Sequence, residues 1–482
     1  MYNKLVIVLG LFMLLCTPLF AQVGIGTTTP DPSAILDVNS ATGGMLTPRM
    51  TSAQRQAISD PAQGLIVFDT DQDSFYFYTG GSWDTLDSES RANHKIIKSV
   101  ADLADELSAG GGSSYLLDAN TLYEVNGVIS LAVPIDLNNS YIFGKNSGQD
   151  RLEATGGTVF QSTKGGTVRR LTISAIGGII YDFNASNGGA LVVKDCFLNG
   201  SNSVGTVNGF DFIFFRAVIY SNNNDGITIS NIDNVYVAGQ GWDATNNGTY
   251  KTFSGVFNSI QKEGGFMEVS SGDGAVGIDI TGITSIAGSA QLKGVNFYGG
   301  GTYVVGNSPY SGYNFTNDWY VACPGLPLET DDTATGNVNL NYPIGFGAET
   351  TFSGRGTSSR TKVVGDTDSD NLFRFTSTGD NRLIYDGTKT RFFNVTTSLS
   401  YQGDNNNAIF IFYLAKGTSG SGTATVLEKT RVYKQNNGSN DLGAVSIVGT
   451  VELSPGDYIE VWAERYSGGG DLLTVSLNMT AQ

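Results

Sequence analysis

The sequence has few histidines, cysteines and basic residues. Its 482 residues include one histidine, His94, three cysteines (Cys16, Cys196 and Cys323), and 28 Lys and Arg against 45 Asp and Glu. A single histidine excludes zinc sites built from several histidines, and it excludes Ser-His-Asp and Cys-His triads unless His94 takes part. The net charge of −17 makes the chain repel phosphate backbones, so nucleic acid is not an expected partner.

Residues that favour helices are also scarce. Charged residues make up 15% of the chain and glycine accounts for 63 positions. The abundance of Thr, Ser, Asn, Val, Ile and aromatic residues is typical of β-structure, so the composition predicts an all-β protein. A chain of this length predicts two or three domains.

The first 21 residues have the features of an export signal. Lys4 precedes the apolar run Leu5–Leu15, and Ala21 offers a cleavage site. The run is too short for a stable membrane span, so we expect no transmembrane segment in the mature chain. Export to an oxidising compartment allows at most one disulfide, between Cys196 and Cys323, and whether it forms is left open.

Residues 22–90 are predicted to form a small module. Thr51 is suited to begin a short helix, and Leu65–Phe68 and Ser74–Tyr78 are predicted to pair as a hairpin. The turn between them carries Asp71 and Asp73, which could suggest Ca²⁺. Their spacing matches no complete calcium loop, so we expect no metal ion and no other cofactor.

The same module resembles a known N-terminal region. With VGIGTTTPDPSAILDV, PRMTSAQR and GLIVFDT followed by FYFYTGGSW, it is similar to the start of many exported surface proteins of Gram-negative bacteria. The resemblance implies an attachment piece and a location at the cell surface or outside the cell.

Residues 95–325 predict a parallel β-helix. Short β segments recur roughly every 20–24 residues, which is the length of one coil. Before them, Ser99–Leu107 predicts a helix with Val100, Leu103 and Leu107 on one face, placed to cap the open end. SVADL, VRRLTISA and NDGITI resemble right-handed, pectate-lyase-like β-helices of phage tail fibres and tail spikes.

The C-terminal third predicts a different β domain. Residues 326–370 are predicted to be an irregular connector, and residues 371–482 contain short antiparallel strand signals typical of a jelly roll. YDGTKTRFFNVTTSLSY, IFIFYLAK and VELSPGDYIEVWAER resemble trimeric jelly-roll tips of the complement and tumour-necrosis-factor type, as used by phage fibres. That resemblance implies a homotrimer.

One strand of this domain suggests where subunits meet. Ala408–Ala415 is apolar on both faces, and a sandwich strand normally turns one face to water. We therefore predict that Phe410, Phe412 and Leu414 lie at a trimer interface. The alternative is that the connector of the same chain covers this second face.

Catalytic groups are hard to assemble from this sequence. The weak candidates are Asp225 in NNDGI, which is similar to a polygalacturonase strand, with Arg216 and Asp211. The Asp pair and the Gly-His-Gly motif that follow in polygalacturonases are absent. A lyase would need clustered carboxylates holding Ca²⁺ beside an Arg or Lys base such as Arg169 or Lys194.

Aromatic residues in the predicted loops suggest glycan binding instead, because aromatic rings stack on sugars: Trp242, Tyr250, Tyr310 and Trp319. We therefore predict an exported, elongated, trimeric surface fibre or adhesin that binds a surface glycan or another cell-surface ligand without catalysis. Two alternatives stay open. One is a polysaccharide lyase or glycoside hydrolase acting in a β-helix groove, and the other is a purely structural surface or matrix protein.

Overall fold

The computed structural model describes residues 22–86, 93–272 and 274–482. The predicted export signal over residues 1–21 lies outside the described residues. The chain forms two compact units, one up to residue 92 and one from Asn93 onward. No helix in the described part of the chain has the length and apolarity to cross a bilayer.

The first unit contains one short helix and two small sheets. Thr51 caps the helix as predicted, because its side chain accepts the backbone N–H of Gln54 while the Gln54 side chain accepts that of Thr51. The predicted hairpin is also confirmed, with Phe68 opposite Phe75. The elements are β1 (Val23–Ile25), β2 (Leu36–Val38), β3 (Arg49–Met50), α1 (Ser52–Gln56), β4 (Ile66–Asp69), β5 (Ser74–Tyr78) and β6 (Trp83–Thr85).

The second unit begins with a parallel β-helix. Ala190 lies opposite Phe212 and Phe212 opposite Asn234, so each of these coils takes 22 residues, within the predicted period. Later coils are longer, since Asn234 lies opposite Ser259 and Ser259 opposite Ser289. The segment around Trp242 therefore lengthens the period but does not end the β-helix.

The elements of the β-helix within the described residues are β7 (His94–Ile97), a 3-10 turn (Val100–Leu103), α2 (Ala104–Ala109), β8 (Tyr115–Leu116), β9 (Leu122–Val125), β10 (Val128–Leu131), β11 (Ile135–Asp136), β12 (Tyr141–Gly144), β13 (Arg151–Thr155), β14 (Thr158–Ser162), β15 (Gly166–Arg169), β16 (Thr172–Ile176), β17 (Ile179–Asn184), β18 (Ala190–Asn199), β19 (Ser203–Asn208), β20 (Phe212–Ser221), β21 (Ile227–Trp242), β22 (Thr249–Val269), β23 (Val276–Lys293), β24 (Asn296–Gly299), β25 (Thr302–Val305) and β26 (Trp319–Ala322).

Alternating side chains build the core of the β-helix. The aliphatic positions of successive coils stand in register and are all buried, as in the column Leu191, Ile213, Val235 and Ile260. Burying each such side chain contributes roughly 1.5–3 kcal/mol. Because neighbouring residues on a strand point to opposite faces, the residues between these positions form an outward column on the same sheet.

The helical cap forms as predicted, with one difference. Asp102 Oδ2 accepts the backbone N–H groups of Lys98 and Ser99, both at 2.8 Å, and Leu103 is fully buried against the β-helix core. Leu107 packs on the same core, but Val100 is exposed. The first turn, Val100–Leu103, is a 3-10 helix and not part of the α-helix that follows it.

The C-terminal part of this unit is a sandwich of two antiparallel sheets. In chain order its main strands form sheets 1-8-3-6 and 2-7-4-5, which is the jelly-roll arrangement that the sequence predicted. Its elements are β27 (Gly336–Asn341), β28 (Ala348–Thr350), a 3-10 turn (Gly356–Ser359), β29 (Thr361–Lys362), β30 (Phe375–Ser377), β31 (Arg382–Tyr385), β32 (Arg391–Gly403), β33 (Ile409–Gly417), β34 (Thr425–Val426), a 3-10 turn (Glu428–Thr430), β35 (Val432–Gln435), β36 (Leu442–Leu453), β37 (Tyr458–Ser467) and β38 (Leu472–Ala481). The main strands, numbered 1 to 8 in this order for the two sheets above, are β27, β31, β32, β33, β35, β36, β37 and β38.

The predicted connector over residues 326–370 is part of this sandwich. β27 pairs along its length with β38, so that Val338 lies opposite Met479. Phe352 and Val363 are buried in the sandwich core. The strands of this segment could not be predicted from the sequence, because its few apolar residues alternate with Asn, Thr and Gly.

The interface prediction at Phe410, Phe412 and Leu414 is wrong for the single chain. All three are fully buried in the sandwich core, with the Phe412 ring 5.1 Å from Tyr401. The opposite face of β33 carries Tyr413, whose hydroxyl donates to Glu464 Oε2 at 2.8 Å.

The chain itself covers that opposite face. The Arg360 guanidinium lies 5.0 Å from the Tyr413 ring and pairs with Glu464 at 2.7 Å. Arg360 lies within residues 326–370, which were predicted to form a connector. Phe352 of the same segment lies 5.6 Å from Phe410 in the sandwich core. The chain's own connector therefore helps to cover the face of Phe410, as the alternative explanation expected, and through Arg360 it also covers Tyr413 on the other face.

Candidate functional site

The three weak catalytic candidates do not assemble into a site. Asp211 Oδ2 accepts the backbone N–H of Gly189 at 2.8 Å, and Asp225 Oδ1 accepts that of Thr249 at 3.0 Å. Both carboxylates therefore hold turns between coils. Arg216 is exposed on β20, and no hydrogen bond or ion pair joins it to either carboxylate in the described chain.

The four aromatic residues predicted to bind glycan are buried. Trp242 and Tyr250 stack at 4.7 Å inside the β-helix core and are 2% and 0% exposed. Tyr310 packs on Phe373 with ring centres 5.5 Å apart, and Trp319 belongs to the core of the β-helix; both are buried. Trp242 is the last residue of β21 and Tyr250 lies at the start of β22, on either side of the turn over residues 243–248, so both rings lie on strands where the sequence predicted a loop.

Two lysines share this interior with the aromatic residues. Lys251 is fully buried with Nζ 4.4 Å from the Tyr250 ring centre, and Lys262 is 1% exposed with Nζ donating to Gly264 O at 3.1 Å. Burial lowers the pKa of Lys251 well below its usual value and that of Lys262 to about 8, because the apolar interior does not solvate an ammonium ion.

The remaining sequence candidates are structural. Cys196 and Cys323 are buried free thiols, and burial raises the pKa of Cys196 to about 12. His94 starts the first coil with Nε2 3.1 Å from Glu124 Oε2. Among the described residues, no cluster of three or more His, Cys, Asp or Glu side chains is placed to hold a metal ion.

A groove on the outer face of the β-helix is the best candidate for a binding site. The strand Phe212–Arg216 alternates, with Ile213 and Phe215 buried and Phe212, Phe214 and Arg216 turned outward. The register places Phe214 opposite Tyr236 on the next coil. We call this the aromatic groove; it encloses about 330 Å³ and is lined by Phe212, Phe214, Arg216, Asn234, Val235, Tyr236, Ser259 and Gln261.

Aromatic rings form one wall of this groove. Phe214 and Tyr236 lie 5.2 Å apart and within 5° of parallel, and Phe212 lies 6.4 Å from Phe214. Such stacking fixes the rings against each other, so little conformational entropy is lost when a ligand packs on them. Phe212 is 38% exposed and adjoins Phe214 and Tyr236, so the three rings form a contiguous apolar patch and not isolated exposed residues.

Polar side chains surround the rings. Arg216 and Gln261 are exposed, and Asn234 accepts hydrogen bonds from Asn258 and Ser259 at 3.1 and 3.0 Å. Arg216 continues a row of basic side chains on successive coils, because Arg169 lies opposite Lys194 and Lys194 opposite Arg216. No carboxylate lines the aromatic groove in the described part of the chain, so the groove offers donors and apolar surface but no acid–base pair.

Aromatic residues in predicted loops did not indicate this groove, because its rings lie on strands. The signal was present in GFDFIFFRAVIY, where aromatic residues occupy both faces of one strand. A half-buried strand normally has polar residues on its outer face, so outward aromatic residues in a β-helix mark a surface with a function.

The comparisons with known proteins concern the two ends of the chain. Residues 24–99 match the family model of a phage tail like trimerisation region. With the β-helix, this match fits a phage tail fibre-like protein and confirms that resemblance. No curated protein matches the sequence.

Solved structures similar to part of the chain include proteins of the tumour-necrosis-factor type. Murine APRIL at pH 5.0 is 10% identical with a TM-score of 0.22, covering 31% of this chain and 98% of that one. Eiger TNF from S. frugiperda is 9% identical with a TM-score of 0.23, covering 31% of this chain and 93% of that one. The jelly-roll assignment rests on the strand order of the sandwich itself.

Proposed function

We propose that this protein is an exported, elongated, trimeric surface fibre that binds a glycan in the aromatic groove without cleaving it. The observation that carries the proposal is the wall formed by Phe212, Phe214 and Tyr236 on the outside of the β-helix. Phenylalanine at an outward position leaves apolar surface in water unless something covers it.

A sugar suits this surface chemically. One face of a pyranose ring carries C–H groups that pack on aromatic rings, and its rim carries hydroxyls that need hydrogen-bond partners. The groove supplies donors at Arg216 and amides at Asn234 and Gln261. The absence of a carboxylate in the described lining supports binding over hydrolysis, because glycosidases use a pair of carboxylates.

Trimer formation is supported by the first unit. Its match to a trimerisation region accompanies large apolar side chains that are strongly exposed in the single chain, including Ile35 and Leu46 at 78% each and Met45 at 66%. Contact with two further copies would remove these side chains from water. Export and attachment at a Gram-negative cell surface belong to the same proposal, which the signal-like N-terminal sequence supports.

An array of bacterial polysaccharides tests glycan binding. We expect the full-length mature chain to be retained by at least one polysaccharide, and the double variant Phe214→Ala, Tyr236→Ala to lose that retention. Tyr433→Ala is the matched control, because Tyr433 is an exposed aromatic residue on the sandwich. Retention of no polysaccharide, or equal retention of the double variant, would refute the groove as a glycan site.

Two further measurements test the rest of the proposal. The bound polysaccharide should keep its length during incubation, and release of reducing or unsaturated ends would show catalysis. Light scattering should give a trimer that Ile35→Asp with Leu46→Asp converts to smaller species. A monomeric wild-type chain would contradict the trimer.

A further inference from the structure

A second cleft lies where the β-helix meets the sandwich. We call it the junction cleft; it encloses about 340 Å³ and is lined by Gly288, Ser289, Ala290, Gln291, Asn317, Asp318, Trp319, Tyr320, Asp331, Arg374, Thr388 and Lys389. The first eight belong to the β-helix part of the chain and Arg374, Thr388 and Lys389 to the sandwich. Tyr320 and Lys389 are exposed.

The junction cleft directly continues the aromatic groove. The groove ends at Ser259 and Gln261 on β22, and the register places these two residues opposite Ser289 and Gln291, where the junction cleft begins. No coil separates the two cavities. A single outward column thus runs through both, formed by Phe214, Tyr236, Gln261, Gln291 and Tyr320.

We propose that the two cavities form one extended site for a linear glycan of about five sugar residues, with the sandwich supplying its far end. The inference rests on the proposed glycan binding and adds the length of the ligand. Neighbouring coils are about 4.8 Å apart, so the column from Phe214 to Tyr320 spans about 19 Å. A pyranose unit with its linking oxygen is about as long as one coil step, which allows one sugar per coil.

Charge at the two ends suits such a chain. Among the described residues, Arg216 at one end and Lys389 at the other form no ion pair, although the whole chain carries a net charge of −17. Asp318 is exposed in the junction cleft and adds a hydrogen-bond acceptor. Asp331 and Arg374 also line the cleft, but they are buried and paired with each other. The exposed Arg216, Lys389 and Asp318 can bind hydroxyls of neutral sugars, and the two cations can bind carboxylates of uronic acids.

The junction is held in place by buried contacts. Arg374 Nη2 donates to Trp319 O at 2.9 Å, and Asn317 Nδ2 donates to Asp386 O at 2.7 Å. The Tyr313 and Phe373 rings stack at 4.0 Å across the same boundary. The sandwich therefore presents Lys389 at a fixed position beside the last coil, and a long ligand needs little rearrangement to reach it.

Chain-length dependence tests the inference. Calorimetry with β-1,4-linked glucose oligosaccharides and β-1,4-linked mannuronate oligosaccharides, from disaccharide to octasaccharide, gives the affinity for each length. In at least one series we expect affinity to rise up to about the pentamer and then to stay constant. The two series distinguish a neutral from an acidic ligand.

Variants locate the far end of the site. Lys389→Ala with Tyr320→Ala should leave trisaccharide binding unchanged and lower pentasaccharide affinity about tenfold, the value of one charge-assisted hydrogen bond. Lys293→Ala is the control, since Lys293 is exposed on the same sheet but lines neither cavity. The extended site is overturned if affinity stops rising at the trisaccharide. It is also overturned if the double variant binds oligosaccharides of every length as tightly as the wild type does. Both outcomes leave the proposal of glycan binding intact. Failure of every oligosaccharide in both series to bind would overturn the extended site, and the polysaccharide array separately decides whether glycan binding itself fails.

Discussion

Replacing the buried Lys262 with methionine should stabilise the β-helix at neutral pH. Lys262 lies on β22 with its side chain inside the β-helix, where its Nζ has one hydrogen bond, to Gly264 O at 3.1 Å. Lys251 is buried in the same interior, where burial and repulsion from Lys262 lower its pKa. Methionine keeps the length of the side chain and removes the charge.

The size of the effect follows from the pKa. Burial lowers the pKa of Lys262 from 10.5 to about 8, so between these values the unfolded chain binds more protons than the folded chain and stability rises with pH. A difference of about 2.5 pKa units means that folding costs about 3 kcal/mol at pH 7. Loss of the hydrogen bond to Gly264 opposes the gain by about 1 kcal/mol. Lys262→Met should therefore raise the free energy of unfolding by about 2 kcal/mol at pH 7.

Guanidinium unfolding of the full-length chain, measured from pH 6 to pH 11 for wild type and variant, tests this. We expect the advantage of the variant to be constant below pH 8 and to disappear as pH rises to 10.5, where the wild-type lysine is neutral in both states. Lys293→Met, at an exposed lysine of the same sheet, should show no such dependence. A Lys262→Met difference that does not change with pH would refute the reasoning.

Two further predictions concern stability. Phe412→Asp should unfold or aggregate the sandwich and not yield a folded monomer, because it removes a fully buried ring worth about 3–5 kcal/mol and buries a charge; circular dichroism checks this against Tyr433→Asp at an exposed position. Asn223→Ala should destabilise the β-helix by at least about 3 kcal/mol, because the buried Asn223 side chain bonds Ser201, Asn246 and Leu198 O on neighbouring coils. A melting temperature of Asn223→Ala equal to that of the wild type would contradict this.

The sequence allowed the architecture to be predicted because the period and alternation of a β-helix are local. Coils near Phe212 repeat every 22 residues, and alternation between buried and outward residues is visible in strands such as β18 and β20. What could not be predicted depended on contacts between distant segments. Asn223 lies in the turn-like run SNNND, yet its side chain bonds the coils on either side. Arg360 covers Tyr413 from about 50 residues away along the chain.

The candidate site was missed for a related reason, which also explains where it lies. In a β-helix every strand is shared by an interior and a surface, so aromatic residues in a strand do not reveal their side until the register is fixed. Trp242 and Tyr250 lie on the inner side of the β-helix and pack in its core, whereas Phe214 and Tyr236 lie on the outer side and line the aromatic groove. A β-helix repeats such outward positions at one spacing along its axis. Outward side chains of successive coils therefore line up in columns, and in the column that contains Phe214 and Tyr236 the last member is Tyr320, beside the sandwich.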